Sequence, residues 1–339
     1  MSGEGREQGN RALLADVARL SGVSEITVSR VVRNKGPIAP ATRERVLRAV
    51  AETGYVPNRL AGALASSGSA LVGVVLPSVS NIVFADVLRG IHAALAPSGH
   101  QPVVGVTDYD RDEEERVVRS LLAWQPAAMI LAGFEHTAAT RAMLTAGRLR
   151  VAEIMDIDTA PIDVAVGLSH RRAGRDIARH LIARGYRRFA YVGHDWDRDH
   201  RARLRYDGLV ETLAEGGLAL VGERRIEGPS STLAGREMLA ALMASGARPD
   251  VVVFSNDDMA VGGYFHCLAA GLTPRRDIAL FGFNGLDIAA ALPLRLSTVR
   301  TNRMLIGERA AAALVASAER PDAREIIDTG YVLEAGETA

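Results

Sequence analysis

Apolar residues follow two regimes along the chain. From Ala12 to Ser21 they recur at helical spacing, at Leu13, Leu14, Val17, Ala18 and Leu20. A turn at Gly22-Val23 follows, and Ser24 is a suitable N-cap for a second short helix from Glu25 to Val32. Val28, Val31 and Val32 share one face of that helix at about 100° per residue, which leaves Ile26, Ser29 and Arg30 on the other. A third helix is predicted from about Pro40 to Thr53, with Val46, Leu47 and Val50 toward the core and Gly54 as its stop. Tyr55-Val56-Pro57 interrupts the pattern. Asn58 to Ala65 then reads as a short helix, weakened by Gly62, which costs about 1 kcal/mol relative to Ala.

From Leu71 onward, short apolar runs alternate with amphipathic helical stretches: LVGVVL, PVVGV, AAMILA and RVAEIM, then FAYVG, LALVGE, DVVVFS and IALFGF. Alternation of this kind predicts an α/β architecture, with parallel sheets covered by helices on both faces, and two successive sets predict two lobes. In such sheets ligands bind beyond the carboxyl ends of the strands. The positions just after the runs hold Ser78, Asn81 and Phe84, then Glu135 and His136, Asp156, the stretch His194 to Arg205, Asn256-Asp257, and Asn284. Polar groups with one or two aromatics suit a small polyhydroxy ligand. For Asp156 and Asn256 the competing role is strand-end capping, for Arg201 a solvated loop charge, and for His136 a satisfied loop histidine.

Length and composition sharpen this division. A chain of 339 residues suits two or three domains at roughly 100–200 residues each, and 48% apolar with 24% charged residues is ordinary globular composition. Forty basic residues balance forty acidic ones, which by itself points to no nucleic-acid partner. Division after Ala65 changes that: ten basic against six acidic residues in the first part, 30 against 34 in the rest, or +4 and −4. A basic module beside an acidic body is the asymmetry of a nucleic-acid-binding head. The single Cys267 excludes an internal disulfide and is expected to be a buried, inert thiol. With no apolar leader and no run of 18 apolar residues, a soluble cytoplasmic protein without a membrane partner is expected.

Enzyme classes find little support. There is no G-x-S-x-G elbow, no P-loop, and no G-x-G-x-x-G after the first strand, so no catalytic residue and no cofactor are expected. HDWDRDH (His194 to His200) is read as a polar loop over a pocket mouth in preference to a metal site, and the acidic run Asp108 to Glu115 as the start of a helix. The first segment carries more chemistry. Two short helices joined by a glycine turn describe a helix-turn-helix, whose second helix enters the major groove, although such units also occur in bundles that never touch DNA. On the DNA reading Arg30 reaches phosphate or guanine, Ile26 a thymine methyl, and Ser24, Thr27 and Ser29 phosphates.

The runs LADVARLSGVSEITVSRVVRNKG and TRERVLRAVAETGYVPNRLAGALA closely resemble the headpiece and hinge of the lactose-repressor (LacI/GalR) family of bacterial transcription regulators. The resemblance implies that Glu25, Ile26 and Arg30 read base edges, that Asn58 belongs to the DNA-contacting set, and that Leu64 wedges into the minor groove. Two departures stand out: Ala39 where a Ser cap is usual, partly offset by Pro40, and Gly62 in the hinge. The body resembles the family's effector domain, itself similar to periplasmic sugar-binding proteins. That implies a headpiece over 1–56, a hinge over 57–68 and a two-lobed effector and dimerisation domain over 69–339, the chain crossing between lobes near 162, 290 and 324.

Phe84, Asp156, Arg205 and Asn256 match effector-contacting positions of the family, within RLRYDG and SNDDMAVG for the last two. The family's usual GFD or GYD is here GFN, at Asn284. An Asp there would repel a ligand carboxylate, so the neutral Asn284 beside Arg205 and Arg201 favours an anionic ligand. GVVLPSVSNIVFADVLRGI, EIMDID, EHT and GFNGLDIA also resemble the gluconate-repressor branch. The expected effector set is Asn81, Phe84, His136, Asp156, Arg201, Arg205, Asn256 and Asn284, around an aldonate such as gluconate. The resemblance thus implies a homodimeric repressor on a palindromic operator in double-stranded DNA, controlled by a small effector. No leucine heptad near the C-terminus calls for a tetramer. A neutral-sugar effector stays open as the alternative, as does a solute-binding protein, which would instead show a signal peptide and no head.

Overall fold

Val17, Val28 and Val46, one from each of the first three helices, are fully buried against one another. They belong to a computed structural model that describes residues 12–34, 36–56, 69–147, 149–317, 320–321 and 323–339 and divides into two units, 1–68 and 69–339. In the first unit α1 (Leu14–Ser21) ends at Gly22 with φ 66°, α2 (Glu25–Val32) starts from Ser24, whose hydroxyl accepts from the Thr27 amide at 3.3 Å, and α3 (Pro40–Thr53) ends at Gly54 with φ 64°. Ala39 makes no side-chain cap bond, and Pro40 opens the helix. The expected core face of α3 needs one correction. Leu47 is 50% exposed, and Ala49 takes its place, because steps of three and four from Val46 reach Ala49 and Val50 and leave Leu47 about 100° away. The hinge segment with Asn58, Gly62 and Leu64 lies outside the described residues.

The second unit has two lobes. The first holds a parallel sheet of β1 (Leu71–Leu76), β2 (Gln101–Val106), β3 (Ala128–Ala132), β4 (Arg150–Ile154), β5 (Val164–Gly167) and β11 (Glu325–Asp328), in the order β11-β5-β4-β3-β1-β2. In β1, Val72, Val74 and Leu76 pack into one core and Val75 into another on the opposite face, which is why the run is apolar without alternation. Helices α4 (Val83–Leu95), α5 (Arg111–Leu122), α6 (Ala138–Thr145) and α12 (Arg303–Val315) belong to this lobe. Asp110 caps α5 through the amides of Asp112 and Glu113, as the acidic run predicts, and those bonds hold its carboxyl below the ordinary range.

The second lobe holds a parallel sheet of β6 (Phe189–Gly193), β7 (Leu220–Arg225), β8 (Val251–Phe254) and β9 (Ala279–Phe281), ordered β7-β6-β8-β9. It carries α7 (His170–Ala183), α8 (His200–Glu215), α9 (Thr232–Ala244), α10 (Asp257–Ala269) and α11 (Asp287–Ala291). Cys267 is buried within α10, and burial pushes its thiol up to about 11. An antiparallel pair, β10 (Thr298–Thr301) and β12 (Tyr331–Glu334), runs beside the crossings. These fall between β5 and α7, between β10 and α12, and between β11 and β12, each later in the chain than expected. The four-residue run VAVG adds β5 to the first sheet before the chain leaves it, and residue 290 lies inside α11. Among the described residues no helix is long and apolar enough to cross a membrane.

Candidate functional site

On the first unit, α2 presents Ile26, 68% exposed, together with exposed Glu25 and Arg30. Neither charged side chain has a hydrogen bond or ion pair among the described residues. An uncovered isoleucine between free polar groups on a rigid helix is a surface suited to base edges. Thr27 turns toward the helix start, its hydroxyl 3.0 Å from that of Ser24, and Ser29 is half-buried.

On the second unit, a cavity of about 140 Å³ opens between the lobes at the carboxyl ends of the strands. Of the expected effector residues, Asn81, Arg201, Arg205, Asn256 and Asn284 line it. Asn81 starts α4, accepting from the Val83 amide at 3.2 Å and donating to the Tyr109 hydroxyl at 3.3 Å. Asn256 is both a lining residue and a cap: its Oδ1 accepts from the Met259 amide at 3.1 Å, and its Nδ2 donates to Ser230 at 2.7 Å.

The two arginines have different surroundings. Arg205 is tied to the protein through both of its Nη atoms. Its Nη1 meets His170 Nδ1 at 3.0 Å, its Nη2 donates to the Ser255 carbonyl at 2.9 Å, and its guanidinium lies 4.1 Å over Phe283. Burial, joined by Arg201, weakens its hold on the proton relative to an ordinary arginine. Arg201 is 11% exposed at its side chain, donates from Nε to Asp199 at 3.2 Å, and keeps a buried Nη1 with no partner. Burial opposes the charge of Asp199, but Arg201, His194 and Arg205 together hold its carboxyl well below the ordinary range. A buried N–H without an acceptor is costly unless a ligand supplies one.

Three expected contacts are displaced from the cavity lining. Phe84 is fully buried and lies 5.6 Å beneath the Arg201 guanidinium, so it supports that arginine from below. Asp156 is 1% exposed, with its Oδ1 accepting from the amides of Ile157 and Asp158; burial raises its carboxyl to about 6, and its neighbour Met155, at φ 80°, lines the cavity instead. His136 is a buried ion-pair residue, with Nδ1 2.7 Å from Glu114 and Nε2 3.3 Å from Glu153. Burial disfavours its charge, yet the two carboxylates push the imidazole up to about 9.

Sequence reasoning missed Tyr109, His170, Ser230 and Asp258 on the same walls. Tyr109 and Ser230 follow β2 and β7, so the strand-end rule reaches them when applied to every strand. His170 follows β5, whose short run hid it. It accepts at Nδ1 from Arg205 and donates at Nε2 to the Met155 carbonyl at 2.8 Å, a neutral tautomer, and burial keeps it well below the ordinary histidine range. Asp258 has no hydrogen bond or ion pair among the described residues and faces the cavity as a free acceptor; burial raises its carboxyl. The loop His194 to His200 is a wall of this cavity: His194 meets Ser255 at 2.9 Å, and Asp199 caps α8 through the Ala202 amide.

Residues 13–58 match the family model described as bacterial regulatory proteins, lacI family, and residues 178–334 match a periplasmic binding protein-like domain. The chain is 40% identical to the HTH-type transcriptional regulator GntR of Pseudomonas aeruginosa, over 97% of this chain and 96% of that one. It is 34% identical to the regulator of the same name from Escherichia coli, over 96% and 98%. Among solved structures, a LacI-family transcriptional regulator from Silicibacter pomeroyi superposes with a TM-score of 0.91 at 43% identity, covering 96% of this chain and 99% of that one.

Proposed function

The chain belongs to the lacI family of bacterial regulatory proteins, and on that premise we propose that this transcriptional regulator is a cytoplasmic, homodimeric repressor whose hold on a palindromic operator is set by a sugar acid such as gluconate or a related aldonate. Two headpieces would present Glu25, Ile26 and Arg30 to successive major grooves, with Ser24, Thr27 and Ser29 on phosphates and Asn58 among the DNA contacts, while Leu64 wedges into the minor groove at the operator centre. The effector closes the lobes around itself. Because binding energies at two sites are reciprocal, an acid that weakens operator binding is itself bound less tightly by the operator complex.

The observation that carries the acid half of this reading is the buried, unpartnered Nη1 of Arg201, on a residue lining the same cavity as the neutral Asn284. Arg201 then takes the ligand carboxylate, and Asn81, Asn256 and Asp258 take hydroxyls. Arg205, tied to His170 and Ser255, orients the wall. Calorimetry of the full chain with gluconate and with glucose tests this: gluconate should bind at least tenfold more tightly, and Arg201→Met should abolish the preference. Equal affinity for the two, or glucose alone binding, would replace the acid with a neutral sugar.

A further inference from the structure

One arginine outside the cavity lining joins the two lobes at the cavity's edge. Arg303, 11% exposed at its side chain, donates from Nη1 to the backbone carbonyl of Asn284 and from Nε to Asp86 on α4 at 3.0 Å. Asn284 faces the cavity from the second lobe; Asp86 lies three residues beyond the lining residue Val83 on the first. Among the described residues no other side chain hydrogen-bonds both Asn284 and the first lobe.

The turn that Arg303 grips is not a comfortable one. Asn284 has φ 119° and Gly285 φ 65°, and the first is a conformation that side-chain-bearing residues hold only when their surroundings enforce it. Its remaining backbone ties run to the β10 segment: the Asn284 amide donates to the Val299 carbonyl at 2.8 Å, and the Thr301 amide reaches the Asn284 carbonyl at 3.4 Å. The Arg303 bond is charge-assisted, and therefore the stronger restraint on that carbonyl. Nor is Arg303 needed to join the helices, since α4 and α12 already meet backbone to backbone at Gly90 and Gly307. Asp86 is also held by Arg89 at 3.1 Å, so it keeps a partner when Arg303 is removed.

We propose that Arg303 is a positioning residue that fixes the ligand-facing turn at Asn284 and ties it to α4, so that a ligand bonded at Asn284 is felt on the first lobe. The functional part of this role rests on the reading of the cleft as the effector site; the tether itself does not. Hydrogen exchange on the ligand-free full chain tests the tether. Arg303→Gln should speed exchange of residues 282–286 by at least tenfold, and in an Asn284→Gly background, where glycine accepts that φ freely, by less than threefold. Unchanged exchange, or the same acceleration in both backgrounds, overturns the positioning role. In calorimetry with sodium gluconate, Arg303→Gln should weaken binding about tenfold. Undiminished affinity overturns the functional part. Failure of the unaltered protein to bind gluconate defeats the sugar-acid reading and the functional part with it, while the exchange result still decides the tether.

Discussion

The decisive difference at the residue scale lies between two arginines one helical turn apart. Arg205 is bonded to the protein through both Nη atoms and stacks on Phe283, whereas Arg201 lines the same cavity and keeps a buried N–H without a partner. Sequence shows both as basic residues on one helix and cannot show which is bonded through both Nη atoms, because the partners Ser255 and His170 come from other elements. Asn284 is legible, being a departure from a familiar tripeptide, and its consequence is electrostatic. Asn284→Asp would set a carboxylate on the wall proposed to receive an anion, where like charges in a partly desolvated site repel by several kcal/mol at most. Gluconate affinity should fall at least tenfold by calorimetry while glucose affinity does not fall; equal loss for both would mean that the side chain acts through shape.

At the scale of elements, the sequence discloses helices better than their contacts. Helix α2 and its Ser24 cap follow from spacing alone, but the Leu47 face of α3 does not, because three apolar residues within one turn leave the choice of face to tertiary packing. The close approach of α4 and α12 is likewise hidden in two isolated glycines. A Cβ on Gly90 would lie 2.1 Å from the Met304 carbonyl oxygen, a backbone atom that cannot swing aside. Gly90→Ala should therefore force the helices apart, lowering stability by about 1–3 kcal/mol in denaturant titration. A neutral result would mean that the pair has slack. His136 belongs at this scale too: at a strand end it invites reading as a ligand contact, and only the approach of α5 with Glu114 reveals a structural ion pair.

For the whole molecule, zero net charge is the sum of a basic headpiece and an acidic body with separate tasks. The two-lobed design was legible from alternating runs, while the crossing points were not, since short β5, β10, β11 and β12 leave little pattern in the sequence. Two buried histidines make the body's stability depend on pH in opposite senses. His170, held below its ordinary value of about 6.5, lets the unfolded chain take a proton that the fold refuses, so stability falls as pH drops below about 6.5. His136, raised to about 9, adds stability that is full below about 6.5 and is lost as pH rises through 9. Thermal unfolding from pH 7 to 9 should show stability falling toward the alkaline end, and His136→Gln should flatten that fall; an unaltered alkaline slope would remove His136 from that role.

The central claim is that an anionic sugar held between the lobes controls the grip of the headpiece on DNA. Fluorescence anisotropy of the full chain on a palindrome selected from a random pool, with gluconate or glucose added at equal concentration, tests it most directly. The account predicts sequence-specific binding that weakens with salt, and an operator affinity that shifts at least fivefold with gluconate and not with glucose. Specific binding that responds to neither, or equally to both, would contradict it.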